Sequence, residues 1–521
     1  MNTSEKNIPA ESAPAETKKQ FLFRAAVFSA VFIWFGFWAL FDIDVHHDGL
    51  MLATADLISR QMVLFREVFC QYGPLTHWIQ SFFVKFFGTE VIVIRLATVL
   101  FYALVALLGA QIWGRFLEKP FRSIWYICFF VLCPFYLVCF HPWTSVYALF
   151  FMLLGVEFQL RYLETPQPRW QHLLWSGCCA GAAFLCRTPC GIVTFLAGVT
   201  VVAGIMALHK GEGKLKIAGA YAGGAGAVLG VFALYLTIAG AWEDYLRQCF
   251  IHITGFAFNG GRLHYFRDLF GGIFNQSDPF GLTSFIFLLM IFLTVVVFFL
   301  KCSGILTLDR EKLKKQLPLL AVVMIVGASF HQFYPVPCVR HLWWASIPAF
   351  GIYALCIQGV WKMSVSKELR ILLLTLLLLP LLGAFLVRSS SAVKKIQELP
   401  RMTISNLPAM QGLIIKQEDE AFFKRLYAAV DSLPEELKNR PVLNHTPDGF
   451  YTCVMRQGKI IHPMFVNWPN VYPDYNGYVE YIIDKERPLV FSTGLVGVRD
   501  YKLIFSDRFL QCDYKLFAPL Y

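Results

Sequence analysis

Hydrophobic positions along this chain gather into long runs separated by short polar connections. The runs cover 21–40, 91–113, 121–140, 145–160, 172–186, 190–208, 217–240, 281–300, 317–333, 341–361 and 369–388. An α-helix needs ~20 apolar residues to cross a bilayer, and each run approaches that length. The pattern predicts a polytopic α-helical membrane protein with about eleven transmembrane helices. Between the first two runs lies a segment of a different kind. Met51, Ala55, Ile58, Met62, Phe65 and Phe69 form a helical stripe across 50–69, with Asp56, Arg60 and Glu67 on the opposite face. That spacing predicts an amphipathic helix lying on the membrane surface. Gly73-Pro74, in "QYGPLTHWIQSFFVKFFG", then turns the chain back towards the bilayer.

After about residue 389 the pattern changes again. "EDEAFFKRLYAAVDSLPEELKN" has helical periodicity, and "RPVLNHT" and "RPLVFST" read as short buried strands. A small α/β C-terminal domain of ~130 residues is expected. The predicted organisation is a polar, disordered segment over 1–20, a transmembrane domain over 21–388 with its first outer loop at 42–90, and the tail domain over 389–521.

Composition agrees with this reading. Of 521 residues 57% are hydrophobic and 16% charged, and the mean hydropathy is +0.54; soluble domains carry roughly a quarter charged residues. A net charge of +11 would suit a nucleic-acid binder. The basic residues, however, collect in short connections: Arg115, Lys119 and Arg122; Arg161 and Arg169; Lys210, Lys214 and Lys216; Arg310, Lys312, Lys314 and Lys315; Lys362, Lys367 and Arg370. If the spans alternate, all of these share the side of the N-terminus, which the positive-inside rule makes cytoplasmic. Nucleic acid is therefore not expected as a partner. The first loop, the connection 241–280, "FYPVPCVRH" and the tail then lie outside. The short loops and the lack of a retention signal point to a bacterial inner membrane, with the tail domain periplasmic. Cys453 and Cys512 would share an oxidising compartment, where they could pair. Asn275-Gln-Ser and Asn444-His-Thr are glycosylation sequons on the same side.

The ionisable chemistry concentrates in "FDIDVHHDGLM", residues 41–51, directly after the first span. Asp42, Asp44, Asp48, His46 and His47 crowd against apolar sequence, and ionisable groups placed there indicate a site. Asp44 and Asp48 are one turn apart if the backbone is helical. A pair at that spacing can face one pocket, one carboxylate as base and the other as hydrogen-bond partner or metal ligand. The histidines could bind metal or phosphate, or cap the loop.

This acidic first loop, followed by a juxtamembrane helix and by "YGPL" leading into "FFG…VIRL", resembles the polytopic GT-C glycosyltransferases, nearest in pattern to the protein mannosyltransferase and aminoarabinose transferase branch. The likeness covers the first ~110 residues well and, more loosely, the helix count and the outer tail domain. It implies transfer of a sugar from a polyprenyl-phosphate donor to a lipid, glycan or protein acceptor on the outer face, with inversion. The family's adjacent acidic pair corresponds here to His47-Asp48, a departure that leaves the base open between Asp48 and Asp44. Asp42 and Asp44 form a DxD, which in some branches binds a divalent metal; Asp42, Asp44, His46 and His47 are the candidate ligands, and no other cofactor is implied.

Such a mechanism needs cations against the departing lipid phosphate. Candidates on the outer side are Arg340 and His341 in "PVPCVRHLWW", Arg187 in "CRTP", and Arg262 and His264 in "GGRLHYFRD". In the tail, Trp468, Tyr472 and Tyr475 of "FVNWPNVYPDYNGY" are candidate sugar or acceptor contacts, since apolar sugar faces stack on aromatic rings. Two rival readings are a glycan ligase or polymerase and a lipid or solute transporter. Transporters place ionisable groups in mid-span and show repeats, whereas here the spans are mostly uncharged at their centres.

Overall fold

The computed structural model describes residues 18–135, 139–209, 213–251, 267, 281–305, 309–333, 339–446, 448–454, 475–493 and 500–520. Each apolar run contains a helix. In chain order, with the helix of the first loop included, these are α1 (Lys18–Ala39), α2 (His47–Ser59), α3 (Pro74–Phe87), α4 (Val91–Trp113), α5 (Lys119–Val131), α6 (Thr144–Glu164), α7 (Trp170–Cys186), α8 (Thr188–Leu208), α9 (Lys214–Ala239), α10 (Gly281–Ile305), α11 (Arg310–Ser329), α12 (Val339–Ser346), α13 (Phe350–Lys362) and α14 (Lys367–Glu398). Among the described residues eight helices are long and apolar enough to cross a membrane. This is an integral, multi-pass membrane protein. Large apolar side chains on the outside of these helices, such as Leu376, Leu379 and Leu382 on α14, are exposed as lipid-facing residues should be. Where α7 meets α9, glycine allows close backbone approach: a Cβ on Gly177 would stand 1.9 Å from the Tyr221 carbonyl oxygen.

Two features depart from the sequence reading. The surface helix predicted over 50–69 ends at Ser59, and its residues from Asp48 to Leu57 are all buried. It is walled in by α3 on one side and by the tail on the other. Its apparent polar face is satisfied internally, with Asp56 paired to Arg60 at 2.7 Å. The last span also runs further than predicted, because α14 continues past 388 to Glu398 and carries the chain up to the tail.

The tail pairs β1 (Met402–Ile404) with β2 (Ile414–Lys416), and orders four more strands as β3-β4-β6-β5. These are β3 (Val442–His445), β4 (Leu489–Ser492), β5 (Tyr501–Phe509) and β6 (Cys512–Pro519). The two strands anticipated from sequence, β3 and β4, run parallel, while β6 is antiparallel to both β4 and β5. Helices α15 (Gln417–Asp431) and α16 (Phe450–Val454) bring Phe422, Phe423, Phe450 and Tyr451 against Phe491, Phe509 and Tyr514. This aromatic cluster is the tail's core. Cys453 and Cys512 form no disulfide: the first is buried in α16 and the second exposed at the start of β6. The Asn444 sequon is buried in β3, its Nδ2 donating to the Asp448 carbonyl at 2.8 Å. A glycan cannot be attached there without unfolding the strand.

Candidate active site

The first loop is held from below and from above. Below, Arg95 on α4 is fully buried and forks onto Asp48, with Nε 3.0 Å from Oδ1 and Nη2 2.5 Å from Oδ2. The same guanidinium donates to the carbonyls of Ala39 at 2.7 Å and Phe41 at 3.0 Å, tying the end of α1 to the loop. Above, the Asp42 N–H donates to the Ile414 carbonyl at 2.9 Å and the Ile414 N–H to that of Leu40 at 2.7 Å. Asp42 takes φ +56° to make this turn, a left-handed conformation that Asp tolerates better than most residues. Its carboxylate pairs with Lys395.

Between these anchors Asp44 caps the start of α2. Its Oδ1 accepts from the backbone N–H groups of His46 at 3.1 Å and His47 at 2.9 Å, the usual way a carboxylate satisfies a helix N-terminus. Its Oδ2 lies 2.9 Å from His47 Nδ1, 2.9 Å from His141 Nε2 and 3.9 Å from Arg340 Nη1. Burial works against the charged carboxylate, but the flanking His141 and His47 outweigh it and hold Asp44 well below the ordinary range. Burial, reinforced by His141, takes His47 down to about 3, so its imidazole is neutral at pH 7. Burial and then the Arg340 charge lower His141 as well.

The protonation pattern follows from the partners. His141 Nδ1 is 2.6 Å from the Cys139 carbonyl, which can only accept, so Nδ1 carries the proton. That leaves Nε2 to the Asp44 oxygen at 2.9 Å, the contact through which His141 holds Asp44 low. Arg340 stands at the same point, against His141 Nε2 and 3.9 Å from Asp44 Oδ2.

The sequence-predicted residues therefore separate. Asp44, His47 and Arg340 come together with His141. Asp48 is 0% exposed, and both its oxygens are engaged by Arg95, with Oδ2 also taking the Asp44 N–H at 2.8 Å. His46 precedes α2 and stacks edge-on against His47 at 4.7 Å. His341 packs on Trp344. Arg187 lies at the α7–α8 break, donating to Ser145 Oγ at 2.5 Å, and reaches the cluster through Tyr72 and Trp143: it feels the Tyr72 hydroxyl, Tyr72 packs edge-on against Trp143 at 5.3 Å and Trp143 against His47 at 4.8 Å. Arg262, His264, Trp468 and Tyr472 lie outside the described residues. Tyr475 opens the helix α17 (Tyr475–Glu486).

An apolar groove of about 460 Å³ runs between α8, α10 and α11, lined by Val193, Leu196, Phe298, Val323 and Phe330 among others. Its Phe330 end adjoins His331, which is within electrostatic reach of Arg187.

Asp44, His47 and His141 suit a divalent cation by donor type, with ligand atoms within 4.8 Å of one another. Arg340 contests that position. A dication about 4 Å from a guanidinium meets a repulsion of about 8 kcal/mol at an effective dielectric constant of 20. The set fits a metal only with Arg340 withdrawn, and no chemical step is assigned to one here.

Residues 71–238 match the family model described as dolichyl-phosphate-mannose-protein mannosyltransferase. No curated protein matches the chain in sequence. Among solved structures it is similar to ArnT from Cupriavidus metallidurans bound to undecaprenyl phosphate, at 11% identity and a TM-score of 0.54, covering 96% of this chain and 98% of that one. The apo state of the same ArnT gives 11% identity and a TM-score of 0.53, covering 95% and 98%. The Archaeoglobus fulgidus oligosaccharyltransferase in its apo form gives 10% identity and a TM-score of 0.54, covering 92% of this chain and 70% of that one. The family match covers residues 71–238, and over nearly the whole chain the fold is similar to that of ArnT and the oligosaccharyltransferase.

Proposed function

We propose, from this GT-C fold, that the protein transfers a sugar from a polyprenyl-phosphate carrier to an acceptor hydroxyl, with Asp44 as general base and inversion at the anomeric carbon. The convergence at Asp44 Oδ2 carries this reading. Groups from three distant segments, at 47, 141 and 340, meet at one ionised carboxylate that the backbone already orients. ArnT, of the same fold, binds undecaprenyl phosphate, and the groove between α8, α10 and α11 has the apolar lining that an isoprenoid chain requires. With the chain in that groove, the carrier's phosphate lies towards Arg187 and Arg340.

The reaction then runs as a single displacement. The acceptor oxygen attacks the anomeric carbon while the bond from that carbon to the carrier phosphate breaks. The phosphate leaves with the electron pair, and its growing charge is met by the guanidinium groups. The acceptor proton passes to Asp44. Asp48 has a positioning role through Arg95, which fixes the end of α1 and the start of the loop. The first loop, the tail and the carrier phosphate occupy the outer face in this reading, and the membrane is a bacterial inner membrane.

The test is transfer of labelled sugar from synthetic polyprenyl-phosphate donors by the purified full-length protein in nanodiscs. Wild type should consume donor, and Asp44→Asn should not. Donor left intact by wild type across hexose and pentose donors would overturn the proposal and put the transporter reading first.

A further inference from the structure

The first loop is covered by a turn of the tail that no step above uses. β3 and β4 end side by side at His445 and Ser492, and the chain leaves β3 through a turn knitted by buried polar side chains. Thr446 Oγ1 donates to Asn444 Oδ1 at 2.8 Å, Asn444 Nδ2 to the Asp448 carbonyl at 2.8 Å, and the Asp448 N–H to Thr446 Oγ1 at 3.1 Å. The next residues are pressed onto α2. A Cβ on Gly49 would fall 1.8 Å from the Phe450 nitrogen, and that N–H donates to the Val45 carbonyl at 3.0 Å. The turn is thus in fixed register with the Asp44 loop, one residue away from Asp44 in sequence at Val45.

Asp448 sits at the head of this turn, 9% exposed. Its Oδ2 accepts from the Tyr514 hydroxyl at 2.8 Å. Its other oxygen, Oδ1, is not sealed from solvent. Burial pushes the carboxyl up, and the charges of both His46 and Asp44 are felt there, which places it beside the catalytic loop. A carboxylate oxygen that solvent reaches can exchange its water for a substrate hydroxyl. The neighbouring groups at this strand edge are a hydroxyl, Ser492, and the His445 imidazole, which burial lowers. A carboxylate here repels an anion and accepts from hydroxyls.

We infer that Asp448 is an acceptor-binding residue, its Oδ1 receiving a hydroxyl of a neutral carbohydrate next to the hydroxyl that reacts at Asp44. This rests on the sugar-transfer reading above. In it, the membrane helices hold the donor and the tail selects the acceptor.

The bland alternative is that Asp448 only tethers β6 through Tyr514. Asp448→Asn separates the two, because the amide oxygen can still accept from Tyr514 while the charge that grips a second hydroxyl is lost. The full-length protein in nanodiscs receives a labelled polyprenyl-phosphate hexose with octyl glucoside as acceptor. Release of free sugar to water serves as an acceptor-independent readout. The expected result is a KM for octyl glucoside raised tenfold or more in Asp448→Asn, with release to water unchanged. An unchanged KM would reduce Asp448 to a tether. Wild type that releases sugar to water yet never glycosylates octyl glucoside overturns the acceptor assignment alone. Wild type that does neither overturns the reading beneath it, and this one with it.

Discussion

Asp44 and Asp48 carry the same side chain one helical turn apart, and the fold gives them opposite surroundings. Asp48 points down into the helical core and meets one charged partner, Arg95, that is as buried as itself, besides the Asp44 N–H. Asp44 points sideways, retains 17% of its exposure, and is approached by His47, His141 and Arg340 without being sealed off. One carboxylate has spent its acceptor capacity on structure. The other keeps an oxygen between two imidazoles and a guanidinium, where a reacting hydroxyl could be met. Spacing alone cannot distinguish the two; what lies across from each does.

The comparison breaks most visibly at Arg95. Removing one partner of a buried ion pair typically costs about 3–5 kcal/mol, because the other charge is left stranded. Arg95→Leu and Asp48→Asn should each lower the thermal midpoint and the yield of monodisperse protein, and activity should fall with them. The double variant Arg95→Leu with Asp48→Leu should recover much of that stability, since an apolar pair of suitable volume is often neutral. Single variants that melt with wild type would mean that the pair holds nothing together.

Asp44→Asn should do the reverse. Its midpoint stays near that of wild type, while transfer drops on the order of 10²–10⁴-fold, the usual worth of a positioned general base. The pH dependence sharpens this. The folded protein holds the Asp44 carboxyl below the ordinary range, so its charge is present above that range and is lost only as the pH falls through the lowered value. The transfer rate should therefore show no acid limb near the ordinary aspartate value of about 3.9. An acid limb at or above that value would assign the rate to a different carboxylate.

A smaller effect is expected at Arg340, the cation beside Asp44 and His141. Charged hydrogen bonds are worth about 1.5–3 kcal/mol, so Arg340→Gln should weaken donor binding on the order of 10–100-fold. Arg340→Lys should restore part of that. Equal donor KM values for all three proteins would remove Arg340 from the phosphate site.

Much of this was legible beforehand, and the remainder has physical reasons. The apolar runs place every long helix because a bilayer demands them, and "RPVLNHT" and "RPLVFST" are apolar enough to be strands whatever surrounds them. The loop's richness in Asp and His marks the candidate site. Its partners were harder to find because they arrive from far along the chain. His141 and Ser145 stand in "HPWTS", a polar interruption between two apolar runs that topology puts on the same side as the first loop. Arg95 is a lone charge four residues into "VIVIR", where an ionisable group within a span is itself a signal. The surface helix failed because a period of 3.6 reveals which residues share a face, not that a tail domain will cover the other face.

The smallest effect is expected at Asp42, and it decides between two meanings of the same motif. As the first acid of a DxD, Asp42 would be a metal ligand, and Asp42→Asn would cost most of the activity. In the structure its carboxylate faces away from the Asp44 cluster to Lys395, in a half-buried pair of a kind worth about 1 kcal/mol or less. Its backbone carries more weight, with φ +56° and an N–H bound to Ile414. Asn tolerates that conformation nearly as well as Asp, whereas a β-branched residue does not. Asp42→Asn should leave transfer within a few-fold of wild type and insensitive to EDTA, while Asp42→Val should lower the thermal midpoint through the turn. If Asp42→Asn is instead inactive at normal stability, and its metal content falls with its activity, the DxD reading holds, Arg340 must move aside to admit the metal, and Asp44 is a ligand before it is a base.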